Sequence, residues 1–532
     1  MSTPLLQVED LSLFFGERKV LDGLSLVVTS GARIALLGES GSGKSLTALS
    51  LLGLLPLNCR PTGEIRLRNQ SKNLLDNKEK DWQKLRGKEI GLIFQEPLTA
   101  LNPTINCGTQ LVEAARLYLG QSQADARHTT ITWLERVQLF DHDRIMSAFP
   151  HQLSGGQRQR ILIAMAMMAK PKLLIADEPT TALDTVIEAE ILQLLRQLCD
   201  EEEMALLFIT HDLAAARYVA EDAILLKEGQ TLERGSVDSL INDAQTEYGK
   251  KLVRHNARLF DNRRWGDPLK REDEAVVLSI DNLTLSYPVS SDILGRTTTW
   301  LKAINGVSLL LHRSEFLALV GQSGCGKSSL ARCIAGLQKP DRGQICTIDA
   351  KGKAFTIELG KLPMIFQDPF SSLTPRRTVG SQIAEVVQLK EAKMSSSEIR
   401  SQTSQLLDRV GLSAETFYDR KPSQLSGGQR QRVAIAKALA TKPEILVADE
   451  VTSALDAPLR HQLMQLLHQL CRADGLSLLY ITHDLALALE WSDRIAVMDQ
   501  GKIVDVFQPV QLDISPRHPV TDKLLQALKL SN

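Results

Sequence analysis

Arg33-Ile34-Ala35-Leu36-Leu37-Gly38-Glu39-Ser40-Gly41-Ser42-Gly43-Lys44-Ser45 decides the fold. An apolar run ends in a loop of the form GxxxxGK[ST], and a helical pattern follows. Buried strand, tight loop, helix is the order of a parallel α/β core with phosphate chemistry at the strand's C-terminal end. The glycines let the chain curl so that successive N–H groups aim at one anion. The next helix offers its N-terminus to the same anion. Lys44 is expected at the β- and γ-phosphates of a nucleotide, and Ser45 at Mg²⁺.

Phe316-Leu317-Ala318-Leu319-Val320 runs into a second such loop, Gly321-Gln322-Ser323-Gly324-Cys325-Gly326-Lys327-Ser328. Two copies, each after an apolar strand and before a helix, exclude chance. Comparing the halves extends the repeat. LSGGQRQR stands at 153–160 and again at 425–432, an offset of 272 that also relates Gln95 to Gln367, Asp177 to Asp449 and His211 to His483. Lys44 and Lys327 are 283 apart, so the second half is 11 residues shorter between its loop and its glutamine. The extra segment of the first half, around 69–82, is polar and reads as a surface loop.

Leu173-Leu174-Ile175-Ala176-Asp177-Glu178 is an apolar run ending in two acids, repeated as Ile445-Leu446-Val447-Ala448-Asp449-Glu450. It reads as a buried strand whose terminal acid binds Mg²⁺, while the next acid polarises the attacking water. Asp177 and Asp449 are therefore assigned to the metal, and Glu178 and Glu450 to the base.

The length of 532 residues requires more than one domain. The expected division is 1–253, a linker at 254–275 rich in charge and broken by Gly266 and Pro268, and 276–532. A net charge of -1 argues against wholesale attraction to nucleic acid or to an anionic membrane surface. The seven cysteines form no CxxC pair and read as inert thiols in a reducing compartment, with no zinc or iron–sulfur spacing. Residues 1–10 do not read as a signal peptide, and no apolar run reaches the roughly 20 residues of a membrane span.

Taken together these motifs resemble those of the ABC ATPases. LSGGQ at 153–157 and 425–429 is similar to their signature, and the order of motifs is theirs: phosphate loop, glutamine (Gln95, Gln367), signature, acidic strand end, a TALD or SALD turn (181–184, 453–456) and a histidine (His211, His483). The resemblance implies two tandem α/β P-loop ATPase domains. Each would have a RecA-like core, an antiparallel β subdomain and a helical signature subdomain. It implies two ATP molecules sandwiched head to tail. The phosphate loop of one half would face Ser154, Gly155, Gly156 and Gln157, or Ser426, Gly427, Gly428 and Gln429, of the other. It also implies Phe15 and Tyr287 stacked on adenine, Gln95 and Gln367 at Mg²⁺, and His211 and His483 at the γ-phosphate. Both halves keep every functional group, so two active sites are expected. The one departure is Val451, where the first half has Pro179.

Within the ABC proteins, Gln95-Glu96-Pro97-Leu98-Thr99-Ala100-Leu101-Asn102-Pro103 resembles the peptide/nickel importer family, as do Gln367-Asp368-Pro369 with its following residues and the tail at 515–525. That implies two transmembrane permease subunits, an extracytoplasmic binding protein and a place at the cytoplasmic face of the cell (inner) membrane. The cargo would be peptides or nickel and metal–chelator complexes. A soluble tandem translation factor on the ribosome is the alternative, and a DNA-repair ATPase a third reading. The short, Pro-broken linker and the lack of zinc-finger or coiled-coil insertions weigh against both.

Overall fold

The computed structural model describes residues 4–39, 41–68, 72–181, 183–260, 275–291, 297–349, 351–356, 362–368, 372–452, 455, 457–511 and 517–530. Its contacts divide the chain into two compact units, residues 1–260 with 529–532, and 261–528.

In the first unit the strands Ile90–Ile93, Leu173–Asp177, Ala205–Thr210, Arg33–Leu37 and Asp222–Lys227 lie side by side in that order, all parallel. Gln230–Ser236 closes this row antiparallel to Asp222–Lys227. It is joined through Asp22 and Gln230 to an antiparallel group formed by Arg18–Thr29, Pro4–Phe15 and Cys59–Leu67. The central strands are apolar up to their last residue because both faces are covered; Leu173–Asp177 and Ala205–Thr210 are buried at every residue. The helices Cys107–Leu119, Gln123–Arg136 and Gly155–Met167 share a core through Leu111, Trp133, Leu134 and Ile163. These are the three parts expected of each half.

The second unit repeats the plan with its sheet in two pieces. One is the row Met364–Ile365, Ile445–Asp449, Ser477–Thr482, Phe316–Val320, Arg494–Asp499 and Lys502–Phe507; the other holds Val276–Ser291 and Thr297–His312. Both strands read ahead of the phosphate loops have the bounds expected of them.

Residues 72–82, expected as part of a surface loop, are not one. Among the described ones, Leu74–Asp76 forms a 3-10 turn and Glu79–Leu85 a helix. Leu74 and Trp82 are buried, at 1% and 5% exposure. Polar neighbours hid two anchors: the Trp82 ring lies where a Cβ on Gly53 would sit, 2.3 Å away, and Gly53 has φ +62°. The helix Glu247–Phe260 also runs into the segment expected as linker, whose residues 261–274 lie outside the described ones.

Candidate functional site

Register assembles the site. Leu37 pairs with Thr210, and Asp177 with Ile209, so three parallel strands end side by side. Their next residues are Gly38, His211 and Glu178, distant in sequence and adjacent at one sheet edge. Val320 with Thr482, and Asp449 with Ile481, do the same for Gly321, His483 and Glu450.

The loop wraps its own lysine. Lys44 Nζ donates to Gly38 O at 2.7 Å and Glu39 O at 2.9 Å. Lys327 Nζ donates to Gly321 O at 2.7 Å and Gln322 O at 3.0 Å. Gly43 and Gly326 precede the helices Lys44–Ser50 and Lys327–Ile334 at φ +100° and +112°. A Cβ on Gly326 would stand 2.1 Å from Ala303 O, so only glycine fits. Gly41, Ser42 and Gly324 complete the described curl; Ser40 lies outside the described residues. Cys325 is buried, which pushes its thiol up, and it reads as a packed side chain.

Ser45 Oγ donates to Asp177 Oδ1 at 3.1 Å, and Ser328 Oγ to Asp449 Oδ1 at 3.3 Å. Burial raises the pKa of both aspartates above the ordinary value, more than these hydroxyls lower it. Glu178 gathers four partners. Gln95 Nε2 donates to its Oε2 at 3.0 Å, Thr181 Oγ1 donates to the same oxygen at 3.0 Å, and His211 Nδ1 and Lys44 Nζ lie 3.4 and 3.9 Å from Oε1. Around Glu450, Gln367 Nε2 donates at 2.9 Å and His483 Nδ1 lies at 3.5 Å. Burial pushes both glutamates up. The histidine, the lysine and, at Glu178, the Thr181 hydroxyl outweigh it, so both stay ionised below their usual range. Burial pushes His483 down, and Glu450 more than reverses this, so its pKa is raised.

Both glutamates have left-handed backbone, φ +46° and +47°. Their N–H groups remain in the sheet ladder, donating to Ile209 O and Ile481 O, each at 2.9 Å. A non-glycine residue held this way costs about 1–3 kcal/mol, and such strain collects at functional sites.

The signature serines are helix N-caps. Ser154 Oγ accepts from Gln157 N at 3.3 Å, and Gln157 Oε1 accepts from Ser154 N at 3.1 Å; Ser426 and Gln429 repeat the pair. A Cβ on Gly156 would meet Ile187 at 2.6 Å, whereas Gly155, Gly427 and Gly428 have more room. Tyr287 packs on the core with its hydroxyl 3.5 Å from Ser329 Oγ, beside the loop serine. Phe15 is partly buried in the first core, while Phe14 lies under Lys19 and Arg60.

Two contacts around Glu178 and the first phosphate loop have no signal in the local sequence. One is Thr181 on Glu178. The other is Tyr248, whose hydroxyl accepts from Glu39 N at 3.1 Å in the phosphate loop. At the matching offset of 272 the second half has Val520, so only alignment of the two tails marks this tyrosine as different.

The ABC transporter family model matches residues 21–181 and again 304–453. The chain belongs to that family. It is a fused, tandem ATP-binding protein with the family's ATPase machinery in both halves. It is 37% identical to the glutathione import ATP-binding protein GsiA of Pectobacterium atrosepticum over 99% of this chain and 90% of that one. It is also 37% identical to the peptidoglycan transport ATP-binding protein YejF of Agrobacterium fabrum, over 98% of this chain and 96% of that one. GsiA of Escherichia coli O157:H7 is 36% identical over 99% and 90%. No helix among the described residues is long and apolar enough to cross a membrane.

Proposed function

We propose that this chain is the ATP-driven motor of an importer for peptides or peptide-containing solutes. The observation that carries this reading is a likeness to import and transport ATP-binding proteins that runs through both halves and the joining segment. The functions for which those relatives are named, glutathione import and peptidoglycan transport, favour peptide chemistry over the nickel complexes also expected. No observation favours the ribosomal alternative.

Each half's phosphate loop binds one ATP molecule. The N-capped signature helices offer backbone N–H groups and a positive helix end to an anion such as a phosphate. Lys44 and Lys327 neutralise the β- and γ-phosphate oxygens. Glu178 and Glu450, ionised and fixed by glutamine and histidine, accept a hydrogen bond from the attacking water and orient it. Water adds in line to the γ-phosphorus as the bond to the bridging oxygen breaks, giving ADP and phosphate. His211 and His483 lie beside the glutamates, placed to steady the γ-phosphate.

Ser45, Asp177 and Gln95, with Ser328, Asp449 and Gln367, fit Mg²⁺. They offer hard oxygen donors, with the serine hydroxyls already 3.1 and 3.3 Å from the aspartate oxygens. The ion would neutralise charge developing on the phosphate oxygens. Phe94, Leu98 and Phe366, 43%, 53% and 36% exposed beside Gln95 and Gln367, support a permease contact there. The working position would then be peripheral, at the cytoplasmic face of the inner membrane, beneath two permeases served by a binding protein.

The purified chain is expected to hydrolyse MgATP, and Glu178→Gln and Glu450→Gln each to lower turnover by about 10²-fold or more, to a similar degree. Cells lacking the protein should lose uptake of a labelled small peptide and regain it with the wild type but not with the double variant. ATP hydrolysis without any uptake defect would overturn the importer reading. A sharp difference between the single variants would overturn the equivalence of the two sites.

A further inference from the structure

The turn after each catalytic glutamate is restrained differently in the two halves, and the internal repeat makes the comparison direct. In the first half the turn reads Glu178-Pro179-Thr180, and the proline ring fixes its own φ. The second half reads Glu450-Val451-Thr452 and has no such restraint. The strand leading to the histidine carries an exchange too: Phe208 in the first half stands where the second has Tyr480.

Tyr480 is completely buried. Its hydroxyl lies 2.8 Å from Thr452 Oγ1, and Thr452 is only 3% exposed. Thr482, the residue before His483, also interacts with it. The ring is set edge-on to Phe316 at 5.8 Å. One buried hydroxyl thus ties the residue two beyond Glu450 to the strand that delivers His483. Phe208 fills the corresponding place without a hydroxyl, so packing alone does not call for one. A buried hydroxyl is unfavourable unless it is bonded.

We infer that Tyr480 is a positioning residue of the second ATP site, its hydroxyl holding the turn from Glu450 to Thr452 where the first half uses Pro179. The two sites reach the same chemistry with different supports: backbone rigidity in one, a side-chain tether in the other. This inference rests on the water-activating role proposed for Glu450. Fully buried, Tyr480 acts through the glutamate.

The test is steady-state MgATP hydrolysis by the full chain, with KM and thermal stability recorded beside kcat. Glu450→Gln sets the scale. Tyr480→Phe is expected to produce at least half the fractional loss of kcat seen for Glu450→Gln, with KM unchanged. Thr452→Val, which removes the same bond from the other side, is expected to match it. Adding Val451→Pro to Tyr480→Phe is expected to restore kcat, because it supplies the first half's restraint; a merely structural tyrosine would show no such rescue. Full activity in Tyr480→Phe, a rise in KM in place of the kcat loss, or no rescue by the proline would each overturn the inference. A Glu450→Gln chain as active as the wild type would overturn the function proposed for the site as well.

Discussion

At the residue scale the most informative positions are Glu178 and Glu450. Their left-handed backbone turns each carboxylate off the end of its strand toward glutamine, histidine and lysine while the N–H stays in the sheet. The strain has a measurable consequence. Glu178→Ala and Glu178→Gly both remove the carboxylate, but only the alanine keeps a Cβ at positive φ. Chemical denaturation should find the alanine variant less stable by about 1 kcal/mol, with both inactive. Equal stabilities would show that the backbone relaxes freely there. The identity and spacing of Asp177 and Glu178 were legible in the sequence because an apolar strand ending in acids is a local pattern. Thr181 on Glu178, Tyr248 on Glu39 and Thr452 on Tyr480 were not. Each depends on strand register or on how a returning helix packs, and no local pattern encodes either.

At the element scale the strands Arg33–Leu37 and Phe316–Val320 were readable to the residue. Two-sided burial makes them unbroken apolar runs, and the glycine loop fixes where they stop. The segment that distinguishes the halves was misread. Between residues 69 and 82 polar side chains outnumber apolar ones, and only tertiary packing shows that Leu74 and Trp82 face inward. Trp82 closes over Gly53, just beyond the phosphate-loop helix, with the Arg86 guanidinium 5.7 Å from its ring. Trp82→Ala should therefore destabilise the first unit by about 3 kcal/mol or more. A loss under about 0.5 kcal/mol in a denaturant titration would restore the surface-loop reading.

At the scale of the whole molecule two compact units each bring a lysine, an aspartate, a glutamate, a glutamine and a histidine together. Their stability against acid depends partly on carboxylates held by arginines. Arg33 Nη2 is paired with Glu221, and Arg33 Nη1 lies 2.5 Å from Asp200. Burial pushes Glu221 up, but the Arg33 guanidinium more than reverses it and holds its pKa below the ordinary value. Such a group binds protons less readily folded than unfolded. Its contribution is present above the unfolded carboxylate value of about 4.3 and is lost as pH falls through the lower folded value. Glu221→Gln should flatten the fall in melting temperature below about pH 4.5, by a margin that salt reduces. An unchanged acid profile would remove this pair from the account.

The claim that most needs testing at this scale is that the paired ATPase serves a permease. The direct measurement is affinity purification of the chain from gently solubilised membranes, with mass spectrometry of what accompanies it. Two multi-spanning permease subunits are expected in amounts equal to the chain. Ribosomal proteins with no permease would contradict it and leave a tandem ATPase acting on the ribosome.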